Sequence, residues 1–235
     1  MSATQYSARL GALMLLTRSN GWARPSLIMR RASMIGATAF DLADAGYLDL
    51  SHYTSNVLNF DLLEINPSAS AADALTRPGV LDDAEQHMVR HFQDDPGQKM
   101  HSMMRWGTAD PTILVARPLE QAGVLTIAEN ALSDKLPTLY HIKDTSIGLG
   151  IRERLLDVLE GATPTFTDLT VLAILLGNES IGYLLEDDIR PETTKKNAKE
   201  SAQRIVDESL PHYTLRKITW RCLYEGGSML HAAAW

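Results

Sequence analysis

Cysteine is almost missing from this chain. Cys222 is the single one in 235 residues, which excludes an intrachain disulfide and any metal site built from several thiolates, and fits a reducing compartment. Long apolar runs are missing too. The most hydrophobic stretch, residues 166–185 (FTDLTVLAILLGNESIGYLL), is interrupted by Asn178, Glu179 and Ser180 well short of a bilayer's width. The start does not read as a secretory leader, because Arg9 precedes a short apolar run over 10–16 and Arg18 follows directly. A cytoplasmic location is expected. No internal repeat, low-complexity block or long linker marks a domain boundary. An excess of positive charge is lacking as well: a formal net charge of −7 and a pI near 5.5 argue against nucleic acid as a partner. They disfavour an anionic membrane equally, and only a local basic patch would bind either.

What is present is enough apolar sequence, 45% of the chain, to bury a substantial core in a single domain over 1–235. Residues 166–185 have almost no polar stripe in their first half, so they predict a helix buried inside that core. Asp168, just after Pro164, is the expected N-cap, and Glu186, Asp187 and Asp188 before Pro191 close the far end. Around this rod the chain predicts a helix or buried strand over 8–17 and a helix over 27–46 that Gly46 stops. Extended pieces over 47–50 and 57–65 would pair as a small hairpin. A Ser- and Ala-rich loop with one helical turn spans 66–76. Helices follow over 80–93, with Leu81, Ala84, Met88 and Phe92 on one face, then over 98–106 and 112–122. An exposed hairpin or loop over 127–141 has a polar middle at Ser133, Asp134 and Lys135. Helices over 146–160 and 191–210 complete the series, and the tail over 211–235 is expected to be partly ordered at best. The architecture expected is mainly α: a central bundle with a buried apolar helix at 167–185, ringed by amphipathic helices, with small β-hairpins.

Catalytic signals are weak. His87 and His91, four apart on a helix, would share a face as metal ligands do. Met88 stands where a zinc protease has its glutamate and no third ligand is evident, so an exposed face beside Asp83 and Asp94 explains them better. The acidic pairs Asp82–Asp83, Asp94–Asp95 and Asp187–Asp188 each lack the further aspartate of a terpene synthase magnesium motif. Asn197 and Ser201 imitate part of the second such motif, but Ile205 replaces its glutamate. Cys222 has no histidine near it in sequence, and Gly148 with Gly150 lacks the rest of a dinucleotide fingerprint. A metal-dependent or small-molecule enzyme in a helical pocket is therefore the weakest reading, and no cofactor is expected.

The basic cluster offers more. Arg24, Arg30 and Arg31 surround a helix N-terminus close to Trp22. Free N–H groups, the positive end of the helix dipole and arginine forks suit a phosphate. The plainer alternative is a solvated face opposing nearby acids.

The order of segments carries a resemblance. A leucine-rich opening, the Gly21–Trp22 turn and MIGATAFDLADAGYLDL over 34–50 are followed by LDDAEQHMV over 81–89 and LEQAGVLT over 119–126. IRERLLDVL over 151–159, the apolar helix and ETTKKNAKESAQRIV over 192–206 complete the series. In this order and spacing, over about residues 9–210, they resemble the Golgi phosphoprotein 3 family, in its bacterial form. The resemblance implies a mainly helical domain with a protruding hairpin. It also implies a non-enzymatic peripheral membrane protein that recognises a phosphatidylinositol phosphate and engages the cytoplasmic tails of membrane enzymes. By alignment, Ser26, Ile35, Ala109 and Thr112 stand where the family's headgroup pocket has a tryptophan and three arginines. The anion site expected here therefore passes to Trp22, Arg24, Arg30, Arg31 and Arg105. The charged hairpin middle raises the cost of bilayer insertion. The alternative is a soluble protein-interaction scaffold that keeps the fold without the lipid site.

Overall fold

In the computed structural model, residues 6–24, 26–55, 60–94, 96–99, 111–128, 138–185 and 195–209 are described. They form a mainly helical protein with small antiparallel sheets, as the periodicity predicts. The helices are α1 (Ala8–Leu15), α2 (Leu27–Asp44), α3 (Ala71–Thr76), α4 (Asp83–Asp94), α5 (Pro111–Gln121), α6 (Thr145–Leu159), α7 (Phe166–Gly177) and α8 (Lys195–Ser209). A 3-10 helix spans Ile181–Leu185.

The strands β1 (Leu48–Ser55) and β2 (Phe60–Pro67) pair antiparallel, with Leu50 opposite Ile65. Where a helix was expected to begin, Gln98–Lys99 instead forms β3 beside Ile65 and Glu64. Gly97 explains the difference: its φ of +79° turns the chain back after α4, and the edge of β2 offers unpaired backbone groups to the two residues that follow. The strands β4 (Leu125–Ala128) and β5 (Leu139–Ile142) pair antiparallel as the second hairpin. Its middle, the 100–110 segment and the 211–235 tail lie outside the described residues, as do Arg105, Cys222 and Ser133 to Lys135.

Helix α7 is buried along its whole apolar length, from Asp168 to Leu176, and packs against α1, α2 and α8. Its N-cap is Thr165, not Asp168. The Thr165 hydroxyl accepts from the Asp168 N–H at 3.1 Å, and the Asp168 carboxylate accepts from the Thr165 N–H at 2.8 Å. This reciprocal capping box places Asp168 three residues inside the helix. Asp168, 1% exposed, also accepts from the Arg154 Nη2 at 2.8 Å and the Tyr6 hydroxyl at 2.8 Å. Three separate parts of the chain thus meet on one carboxylate. Burial first and the Asp168 charge second push the Tyr6 phenol above its ordinary range, so Tyr6 stays a donor.

The apolar rod is shorter than expected. At its end the Ser180 N–H donates to the Leu175 carbonyl at 2.7 Å and the Glu179 N–H to the Leu176 carbonyl at 3.1 Å. These are the two bonds of a Schellman stop. Glu179 occupies its left-handed position with φ 55°, where glycine is usual. The chain continues as the 3-10 helix.

Two apolar clusters share α2. Met34 and Ala37 face the one built on α1, α6, α7 and α8, while Ile35, Phe40 and Leu42 face the one built on β2, α3 and α4. Small residues make this two-sided burial possible, and Ser33 and Thr38 satisfy their hydroxyls on the Met29 and Met34 carbonyls at 2.7 and 2.8 Å.

Candidate functional site

Residues 17–24 form a tight loop between α1 and α2. Thr17 bridges Ala23. The Arg18 N–H donates to the Trp22 carbonyl at 2.8 Å, and the Arg24 N–H to the Leu16 carbonyl at 2.8 Å. Gly21 has φ +84°, a region that costs a side chain energy. A Cβ there would also lie 3.1 Å from the backbone nitrogen of Tyr140. That approach lets the Tyr140 N–H donate to the Gly21 carbonyl at 3.1 Å, docking the loop on β5. The result is a short, cross-braced loop on which Trp22 stands 46% exposed.

Of the five residues predicted for the site, the structure describes four. It distributes them unequally. Trp22 is at the surface. Arg24 is half-buried, with its guanidinium carbon 4.9 Å from the centre of the Tyr183 ring, and Arg31 is half-buried on α2. Arg30 is 1% exposed. Its guanidinium lies 4.6 Å from the centre of the Tyr140 ring and Nη2 donates to the Thr138 carbonyl at 3.4 Å. A cation over an aromatic face is attracted to it, so Arg30 joins α2 to β5 instead of presenting its charge to solvent. Ser26 caps α2, its hydroxyl accepting from the Met29 N–H at 3.1 Å, and one first-turn donor is thereby used internally.

Two exposed residues that the pattern did not single out belong beside these. Arg18 donates from Nη2 to the Arg24 carbonyl at 3.4 Å, and Leu27 opens α2 at 42% exposure. A signal for them was present in the charge distribution. The first forty residues hold five of the 22 basic residues and none of the 29 acidic ones. Arg9, the first of the five, is engaged elsewhere with Asp41, Asp82 and Glu85, which leaves the other four around the loop and the start of α2.

The Tyr183 ring also helps to line a pocket of about 250 Å³, together with Leu176, Glu179, Ile181, Gly182 and Lys199. His87 and His91 are not part of it. They do not share an exposed face either: His91 is 4% exposed and its ring centre lies 4.9 Å from that of Phe92. His91 falls seven residues after Ala84 and so on the buried stripe of α4 with Met88 and Phe92. Among the described residues, no group of three or more His, Cys, Asp or Glu could hold a metal ion, and no helix is long and apolar enough to cross a membrane. Ile35 and Thr112, two of the positions where the resemblance expects an arginine, are buried at 2% and 1% exposure. No protein-family model matches the chain, and no curated protein does.

Proposed function

We propose that this chain is a non-enzymatic peripheral membrane adaptor that binds anionic lipid headgroups, of the phosphatidylinositol phosphate kind, through the Trp22 loop. The observation that carries this reading is an exposed tryptophan on a braced loop within an acid-free, arginine-bearing segment. Tryptophan suits the boundary between headgroups and acyl chains. Leu27 adds apolar surface, and Arg18, Arg24 and Arg31 add the charge that attracts anionic lipid, at about 1 kcal/mol for each cation near the surface. The resemblance of the segment order to the Golgi phosphoprotein 3 family points the same way.

The test is sedimentation with vesicles of phosphatidylcholine alone and of phosphatidylcholine containing a phosphatidylinositol phosphate. Binding to the second kind is expected, weakening as salt is raised. An Arg18→Ala, Arg24→Ala double variant is expected to bind roughly thirtyfold less tightly, from about 2 kcal/mol of lost attraction. Arg30→Ala is a poor probe, because it removes a buried packing contact. Equal recovery with both vesicles, or none with either, refutes the proposal.

A second reading, a soluble scaffold without the lipid site, draws on the buried, uncharged Ile35 and Thr112 at positions where the family carries arginine. It predicts capture of a protein partner by the same loop while vesicles of both kinds recover nothing.

A further inference from the structure

Arg9, in the first turn of α1, links the last turn of α2 to the start of α4. On one side, the Asp41 carboxylate of α2 accepts from the Ala8 N–H at 2.7 Å and the Arg9 N–H at 3.1 Å, covering the first turn of α1. On the other, Asp82 and Glu85 form a reciprocal box at the start of α4. The Glu85 carboxylate accepts from the Asp82 N–H at 2.8 Å, and the Asp82 carboxylate accepts from the Glu85 N–H at 3.0 Å. The guanidinium reaches all three carboxylates: Nη2 to Glu85 at 2.7 Å, Nη1 to Asp82 at 2.9 Å and Nε to Asp41 at 3.6 Å. One cation is therefore shared by three carboxylates from two helices. The side chains of Arg9, Asp41 and Glu85 are each 15% exposed or less, so water screens their repulsion poorly.

We propose that this junction is a proton-operated clasp: as pH falls from neutral to mildly acidic, Asp41, one of three carboxylates crowded on a single guanidinium, takes up a proton and the folded junction of α1, α2 and α4 gains stability relative to the unfolded chain. Burial outweighs the Arg9 and Ala8 N–H donors and the Arg9 charge, with the Glu85 charge a smaller upward push, and leaves Asp41 at about 6; burial likewise raises Glu85. The charged groups facing Asp41 are Arg9 from α1 and Glu85 from α4, with Asp82 across the same guanidinium. Asp44, further along α2, is exposed, and Tyr6 is committed to Asp168 and Arg154 in a separate cluster. Asp41 has a native value above its ordinary 3.8, so the native state binds the proton before the unfolded chain does. The contribution is complete below about pH 4 and is lost as pH rises through about 6.

The test uses the full chain. Carboxyl carbon NMR follows Asp41 and Glu85 from pH 4 to 8, and thermal unfolding is recorded over the same range for the wild type, Asp41→Asn and Glu85→Gln. The expected result is an Asp41 titration midpoint near pH 6, a Glu85 midpoint above its ordinary range, and a wild-type melting temperature higher at pH 5.5 than at 7.5. Asp41→Asn, which keeps an acceptor for the Ala8 N–H, loses that rise. If Asp41→Asn does not fold, Glu85→Gln still decides, because removing its charge must move the Asp41 midpoint downward. An Asp41 midpoint in the ordinary carboxylate range, or one that does not move in Glu85→Gln, overturns the proposal.

Discussion

Replacing Asp168 with alanine probes the packing argument at its most connected point. The carboxylate is 1% exposed and accepts from Thr165 N, Tyr6 Oη, and Nε and Nη2 of Arg154. Losing its half of the capping box costs about 1 kcal/mol. Leaving the Tyr6 hydroxyl buried without an acceptor costs about 1–3 kcal/mol, and losing a charge-assisted bond about 1.5–3 kcal/mol. These effects do not add, since they share one group. Arg154 also softens the loss, because its side chain is 23% exposed and its Nη2 keeps the Thr163 carbonyl at 2.7 Å. A net loss of roughly 3–4 kcal/mol is the consequence, close to the low end for breaking a buried ion pair. In a chain of this size that lowers the melting temperature by roughly 10 °C. Circular dichroism melts and urea titrations measure it directly. Asp168→Asn, which retains acceptors for Thr165 and Tyr6 but no charge, should fall between wild type and alanine. A loss below about 1 kcal/mol for Asp168→Ala would show that the cluster does not anchor α7 and would refute the reasoning.

Gly11 lets α1 approach α7, since a Cβ there would lie 2.8 Å from Tyr6 Cε2 and 2.9 Å from Val171 Cγ2. Gly11→Ala should destabilise by about 1–3 kcal/mol in urea titrations, and an unchanged midpoint would mean that the two helices separate freely. Glu179→Gly should stabilise by about 1 kcal/mol by relieving the left-handed backbone at φ 55°, a gain read as a melting temperature a few degrees higher. A lower melting temperature would assign the Glu179 side chain a stabilising contact that outweighs the strain.

The legible parts of this fold are those where one signal dominates. The apolar run from Leu169 to Leu176 could belong only in a core, and glycines after α2, α4 and α5 mark turns where φ is positive. Other features depend on partners far away in sequence. Helix α2 is buried on two sides because Ala32, Ser33, Ala37, Thr38 and Ala39 are small, and small size lowers apparent hydrophobicity while it permits close approach. Asp168 alone is the expected cap, and only the hydrogen bonds show Thr165 in that place with Asp168 three residues inside. At the candidate site, the break at Gly21 was visible, whereas its docking on Tyr140 depends on a contact between segments far apart in sequence. That contact also explains why Arg30, so similar in sequence to Arg31, is turned inward over Tyr140.

Hydrogen exchange on the full chain, with and without vesicles containing a phosphatidylinositol phosphate, tests the functional proposal most directly, because it locates the contact as well as detecting it. Added protection should concentrate in residues 17–31, be lost on raising salt and be absent with phosphatidylcholine alone. Protection elsewhere in the chain with this segment unchanged, or no protection from either vesicle, would contradict it.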